Sequence, residues 1–91
     1  VAPAVLEAVL LSHPQIADAA VIGVNDDDGQ EIPKAFIVLQ QGVVLSEQDV
    51  MDFVASQVAP YEKVRRVAFV ESIPKSSAGK ILRKDLRAAE I

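Results

Sequence analysis

The sequence contains no cysteine and a single histidine, His13. Disulfides, thiolate metal sites and a thiol nucleophile are therefore excluded. His13 has no second His or Cys to share a metal with, so it reads as a helix-end residue near the last carbonyls. No stretch approaches the ~18 apolar residues of a membrane span. No charged-then-apolar leader is visible either, and a cytoplasmic location is expected. Positive charge is in short supply: 9 Lys and Arg stand against 13 Asp and Glu, for a net charge of −4. That balance argues against a nucleic-acid binder. There is no internal repeat and no low-complexity tract. There is also no initiating Met; the chain opens on Val1-Ala2-Pro3, which suggests a piece of a longer protein.

What is present is enough apolar side chain for one small domain. Of the 91 residues, 51% are hydrophobic. A domain of this size buries only about 60–65% of its unfolded surface, so modest stability is expected.

The periodicity predicts a first helix over Pro3–Leu11, with Pro3 at the first position and Val5, Leu6, Val9 and Leu10 as its buried stripe. Ser12-His13-Pro14 ends it. Ile16–Val24 reads as an apolar strand. The acidic run from Asn25 to Glu31 reads as a solvated hairpin loop. A calcium loop does not fit, because Val24 and Ala35 would occupy the first and last ligand positions. Ile32–Gln40 is apolar on both faces, with Phe36 and Val38 on one and Ile37 and Leu39 on the other, and reads as a central strand. Ser46 and Asp49 form a capping signal for a second helix carrying Val50, Phe53, Val54 and Val58, with Met51 as partly buried packing and Pro60 as the stop. Arg66–Glu71 is a third strand. Leu82, Leu86 and Ala89 predict a short last helix whose solvated face carries Arg83, Lys84 and Arg87. The order helix, strand, strand, helix, strand, loop, helix gives an α+β fold, with a sheet of about three strands packed with about three helices.

The most informative stretch is Ile73-Pro74-Lys75-Ser76-Ser77-Ala78-Gly79-Lys80-Ile81-Leu82-Arg83-Lys84. Pro74 fixes its own φ and biases Ile73 towards an extended conformation. Gly79 permits backbone angles that other residues resist. Lys80 follows, with Ile81 and Leu82 anchoring the base. The stretch reads as a mobile loop that delivers one ammonium group to a site. A phosphate-cradling P-loop fails twice: Pro74 stands where the first glycine would be, and Ile81 stands where a metal-binding Ser or Thr would be.

The run from Pro74 to Arg83 resembles the C-terminal signature of the adenylate-forming superfamily, and within it most closely the fatty-acid and aryl acid–CoA ligases. The likeness covers essentially the whole chain. It includes the start Val1-Ala2-Pro3-Ala4 with Leu6-Glu7, the pattern Gly23–Asp26–Gly29 followed by Ile32-Pro33-Lys34-Ala35-Phe36, and Ala59-Pro60-Tyr61-Glu62-Lys63-Val64. Val5 stands where the family usually has an acidic residue, and Glu62 replaces a common lysine. The resemblance implies that residues 1–91 form a single lid-like C-terminal domain, with a large N-terminal adenylate-binding domain as its partner.

The same resemblance implies that Lys80 is the catalytic lysine of adenylation and that Gly79, Ser76 and Ser77 shape its loop. Lys34, Tyr61 and Lys63 would face CoA. Read from their positions alone, Lys34 is an exposed edge lysine and Tyr61 a half-buried packing residue. ATP and Mg²⁺ would be bound mainly by the N-terminal domain, with CoA and a carboxylic acid as co-substrates and no metal site here. Lys75 and Lys84, in the same basic neighbourhood, are expected to be dispensable. A carrier-protein acceptor, or a catalytically silent interaction module of the same fold, are the other readings.

Overall fold

The computed structural model describes residues 3–58 and 64–89. Its elements run α1 (Pro3–Leu11), β1 (Ile16–Asn25), β2 (Glu31–Leu39), α2 (Glu47–Gln57), β3 (Arg66–Phe69) and α3 (Arg83–Ala89). The three strands form one sheet in the order β1-β2-β3. β1 pairs antiparallel with β2, from Ile16 opposite Leu39 to Asn25 opposite Glu31. β3 pairs parallel with β2, Lys34 opposite Arg66 and Ile37 opposite Phe69. β2 is thus central, as its two apolar faces predict, and β1 is an edge strand.

Alternation along the strands splits the core in two. On one face Ala19, Val21, Ala35, Ile37 and Val67 pack against Leu6 and Leu10 of α1 and Val50 and Val54 of α2. On the other, Ala20, Ile22, Val24 and Phe36 pack against Ile73 and against Leu86 of α3. The C-terminal segment therefore covers a face of the sheet that would otherwise meet water, and this fixes where the Lys80 stretch runs.

Local chemistry sets the element ends. Ser46 accepts from the Asp49 N–H and Asp49 accepts from the Ser46 N–H, a full capping box at the start of α2. Asp26 Oδ1 accepts from the N–H groups of Asp28 and Gln30, both at 2.9 Å, so a carboxylate organises the acidic β1–β2 loop. His13 Nδ1 accepts from the Gln15 N–H at 3.1 Å, and its ring stands edge-on to Phe53 with centroids 4.7 Å apart. It is a structural histidine.

Three expectations about burial need correction. Val5 is 50% exposed and Glu7 takes its place in the buried stripe of α1, at 7% exposure. The helix faces the sheet through Leu6, Glu7 and Leu10, which spacing of three and four places on one side. Leu82 is 37% exposed, so Leu86 carries the packing of α3. Arg83 does not lie on a solvated face; it is half-buried and paired. β3 is also shorter than its apolar run and ends at Phe69. Pro60, Tyr61 and Lys63, and the side chain of Ala89, lie outside the described residues.

Candidate functional site

Ile73, 7% exposed, anchors the Lys80 stretch in the core beneath α3. From there the chain makes a closed turn. Lys75 and Ile81 form an antiparallel bridge. The Ser76 N–H donates to the Lys80 carbonyl at 2.8 Å, and the Gly79 N–H donates to the Ser76 carbonyl at 2.9 Å. The Lys80 N–H donates to Ser76 Oγ at 3.3 Å, and the Leu82 N–H donates to the Pro74 carbonyl at 2.9 Å. Gly79 has φ 81°. This is a three-residue hairpin loop with its glycine in the left-handed region. A Cβ on Gly79 would meet nothing within 4 Å, so the glycine is present for its backbone angle and not for space.

Ser76 therefore organises the turn, while Ser77, Ala78 and Gly79 form its exposed tip. The stretch is a hydrogen-bonded hairpin, and Lys80 is exposed on its second arm. Two surface clefts have other linings, one formed by Pro3, Leu6 and Val21 with Glu31 and Pro33, the other by Asn25, Glu31, Arg66 and Arg87. Neither is lined by Lys80.

Two ionic ties hold the turn against the edge strand. Lys75 Nζ lies 2.6 Å from Asp18 Oδ2. On the other arm, Arg83 Nη1 and Nη2 donate to Glu7 Oε2 and Oε1 at 2.5 and 3.0 Å. Arg83 Nη1 also donates to the Val21 carbonyl at 2.6 Å, and Glu7 Oε2 accepts from the Val21 N–H at 2.8 Å. Hydrogen bonding to Glu7 raises the Arg83 pKa above its ordinary value; burial opposes the rise and the Glu7 charge adds to it.

Sequence reasoning placed neither Glu7 nor Asp18 nor Arg83 in the site. The available signal was Glu7 itself, a carboxylate between Leu6 and Leu10 on the packing face of α1, which requires a buried partner.

Lys34 stands half-buried on β2 with Nζ 5.2 Å from the centroid of the Phe36 ring. Its register partner on β1 is Ile22, whereas Asp18, which ties the turn, is opposite Val38. Four strand residues, about 13 Å, separate those positions. The other foot of the turn, Arg83, is tied at Val21, opposite Ala35 and one residue along β2 from Lys34. Tyr61 and Lys63 cannot be placed relative to Lys34 or Lys80, being outside the described residues. No group of three or more His, Asp or Glu among the described residues is arranged to hold a metal. No helix among them is long and apolar enough to cross a membrane.

The site belongs to a three-stranded α+β domain with helices on both faces of its sheet and an exposed lysine on a closed turn. The chain belongs to the AMP-binding enzyme C-terminal domain family, whose sequence model matches residues 5–80. It is 63% identical over 86 residues to rice (Oryza sativa subsp. japonica) 4-coumarate–CoA ligase-like 5, a match covering 94% of this chain and 16% of that protein. It is 59% identical over 86 residues to the peroxisomal OPC-8:0-CoA ligase 1 of Arabidopsis thaliana, with the same coverage.

Among solved structures, an anthranilate–CoA ligase in complex with anthranoyl-AMP superposes with a TM-score of 0.89 at 37% identity, over 98% of this chain and 18% of that one. An amide bond synthetase from Marinactinospora thermotolerans gives a TM-score of 0.89 at 34% identity over the same shares. The chain thus spans about a sixth of the length of the curated relatives it matches. One of those relatives is named peroxisomal, so kinship does not support the expected cytoplasmic location.

Proposed function

We propose that this chain is the lysine-bearing lid of an acid–CoA ligase and that Lys80 catalyses acyl-adenylate formation on substrates held by a larger N-terminal domain. The observation that carries this reading is the presentation of Lys80, solvent-exposed on a turn that Ser76 and Gly79 close by hydrogen bonds and away from both surface clefts. A lysine so displayed acts on something brought to it.

The chemistry requires such a cation. The acid's carboxylate attacks the α-phosphorus of ATP, a C–O–P linkage forms, and pyrophosphate leaves. Two anions approach, and negative charge accumulates on the phosphoryl oxygens. An ammonium between them offsets the repulsion and orients the attack. Lysine suits the task because it is a compact charge on a flexible stem. The CoA thiol then attacks the acyl carbon of the adenylate, the thioester forms and AMP departs. Lys80 serves the first step only. ATP and its Mg²⁺ would be bound mainly by the N-terminal domain.

CoA as acceptor rests on kinship. Eight curated relatives at 53–63% identity carry CoA ligase names. The same fold occurs in a protein named an amide bond synthetase, at 34% identity, so the fold is not offered as the ground for CoA.

The test is acid-dependent ATP–pyrophosphate exchange by the full-length enzyme without CoA, followed by thioester formation when CoA is added. Lys80→Ala is expected to lower exchange by a factor of about 10²–10³. It should leave thioester formation from a preformed acyl-adenylate nearly intact. Exchange that survives Lys80→Ala overturns the reading. An adenylate that refuses CoA but acylates an amine or a carrier protein moves the chain to another acceptor class, and absence of both half-reactions supports a silent interaction module.

A further inference from the structure

We propose that Glu7 and Arg83 are positioning residues for adenylation, clamping the Lys80 turn to the edge strand so that the domain carries Lys80 as part of a rigid body; the inference rests on the function proposed above.

The argument begins at Val21. β1 is the edge of the sheet, and the N–H and C=O of Val21 are both taken by side chains: the N–H donates to Glu7 Oε2 and the C=O accepts from Arg83 Nη1. Carboxylate and guanidinium together occupy the place of a neighbouring strand residue, and they hold each other by two hydrogen bonds. Exposed edges are commonly covered to prevent unwanted pairing. A helix or a loop would suffice for that. Here the cover joins the first helix, the edge strand and the residue that opens α3.

Arg83 follows Lys80 by three positions. Between them Ile81 bridges Lys75 and the Leu82 N–H donates to the Pro74 carbonyl. A displacement of Arg83 therefore passes through a hydrogen-bonded hairpin to Lys80 with little slack. Lys75–Asp18 ties the other arm to the same strand. The turn is held at both feet, while its tip and the Lys80 side chain remain in solvent. Placement of a catalytic group is sensitive to shifts of about 1 Å. Neither Glu7 nor Arg83 need touch substrate for its loss to slow the reaction.

The role predicts an asymmetry that a merely structural ion pair would not show. In the full-length ligase, Arg83→Met should lower kcat of acid-dependent ATP–pyrophosphate exchange about tenfold or more. KM for ATP and the acid, and thioester formation from preformed acyl-adenylate, should stay within about twofold. Arg83→Lys keeps the charge without the planar fork, so it should fall between wild type and Arg83→Met. Lys84→Ala, exposed on the same helix, should match wild type.

Should Arg83→Met not fold, Glu7→Gln and Arg83→Lys carry the same comparison. Equal loss in both half-reactions, or no loss in either, overturns the inference. If wild type shows exchange that Lys80→Ala does not reduce, it is the catalytic reading that fails, and the positioning role fails with it.

Discussion

Arg83 meets Glu7 across 76 positions of sequence, the last helix reaching the first through the outer edge of β1. The pair is nearly out of water on the acidic side, where the Glu7 side chain is 9% exposed, against 31% for Arg83. Its partners leave Glu7 with hydrogen bonds to Arg83 and to the Val21 N–H, and no buried side-chain polar atom among the described residues is left unsatisfied.

Stability should register this pair unevenly. Glu7→Leu removes the carboxylate, leaves the Val21 N–H without its acceptor and leaves the half-buried guanidinium with the Val21 carbonyl alone. The expected cost is about 2–4 kcal/mol, below the upper end for fully buried pairs because Arg83 still reaches solvent. Glu7→Gln keeps an acceptor for Val21 and should cost about half as much. Urea denaturation of the two variants measures the difference. Equal midpoints for Glu7→Leu and wild type would show that the pair contributes nothing. The Arg83 pKa is raised, so its stabilising charge is fully present below the ordinary arginine range and lost only as pH rises through the still higher folded value. No dependence on Arg83 titration is expected at physiological pH.

Gly79 offers a cleaner test of backbone geometry, since a side chain there has room and only φ 81° opposes it. Gly79→Ala should cost about 1 kcal/mol, Gly79→Asn less and Gly79→Val more. Exchange activity should follow the same order as thermal midpoint. If Gly79→Val kept wild-type exchange, the closed turn would not matter to Lys80.

The sheet was legible because its strands are apolar on both faces. Phe36 with Val38 and Ile37 with Leu39 separated onto the two faces as alternation requires. Capping chemistry at Ser46 and Asp49 marked the start of α2. The ties around the candidate site were not legible, for a physical reason. Whether Glu7 lies on the packing side of α1 depends on which way the helix rolls onto the sheet, and Val5 competes with it for that side. Arg83 looks like part of any solvated basic helix face until α3 is docked over β1. Spacing identifies helix faces; it does not say which polar residue on them finds a partner from the other end of the chain.

CoA recognition can be tested separately from Lys80, because the thioester-forming step can be followed by its own KM for CoA. Alanine at Lys34, Tyr61 or Lys63 in the full-length enzyme should raise KM for CoA and leave KM for ATP unchanged. A phosphate contact by Lys34 or Lys63 should weaken as ionic strength increases, since screening shortens the reach of an exposed charge to about 8–10 Å at physiological salt. Three variants with wild-type KM for CoA would remove these residues from the CoA-facing set.

Lys75 and Lys84 look interchangeable in sequence, two cations flanking Lys80. The structure separates them. Lys84 is exposed with no ion pair described, whereas Lys75 Nζ meets Asp18 at 2.6 Å and ties the first arm of the turn to β1. The tie is partly solvent-exposed, at 38% for Lys75 and 27% for Asp18, so its contribution to stability should be no more than about 1 kcal/mol. Its effect on Lys80 placement should still be visible. Lys75→Ala and Asp18→Asn should each slow acid-dependent exchange several-fold at low salt, by similar amounts and without adding in the double variant, because both remove one contact. Raising salt should narrow the gap to wild type, since the wild-type tie is screened while the variants have none to lose. Lys84→Ala should track wild type throughout. Additive losses in the double variant, or a Lys75→Ala defect that persists unchanged at high salt, would mean that Lys75 acts on substrate directly rather than by holding the turn.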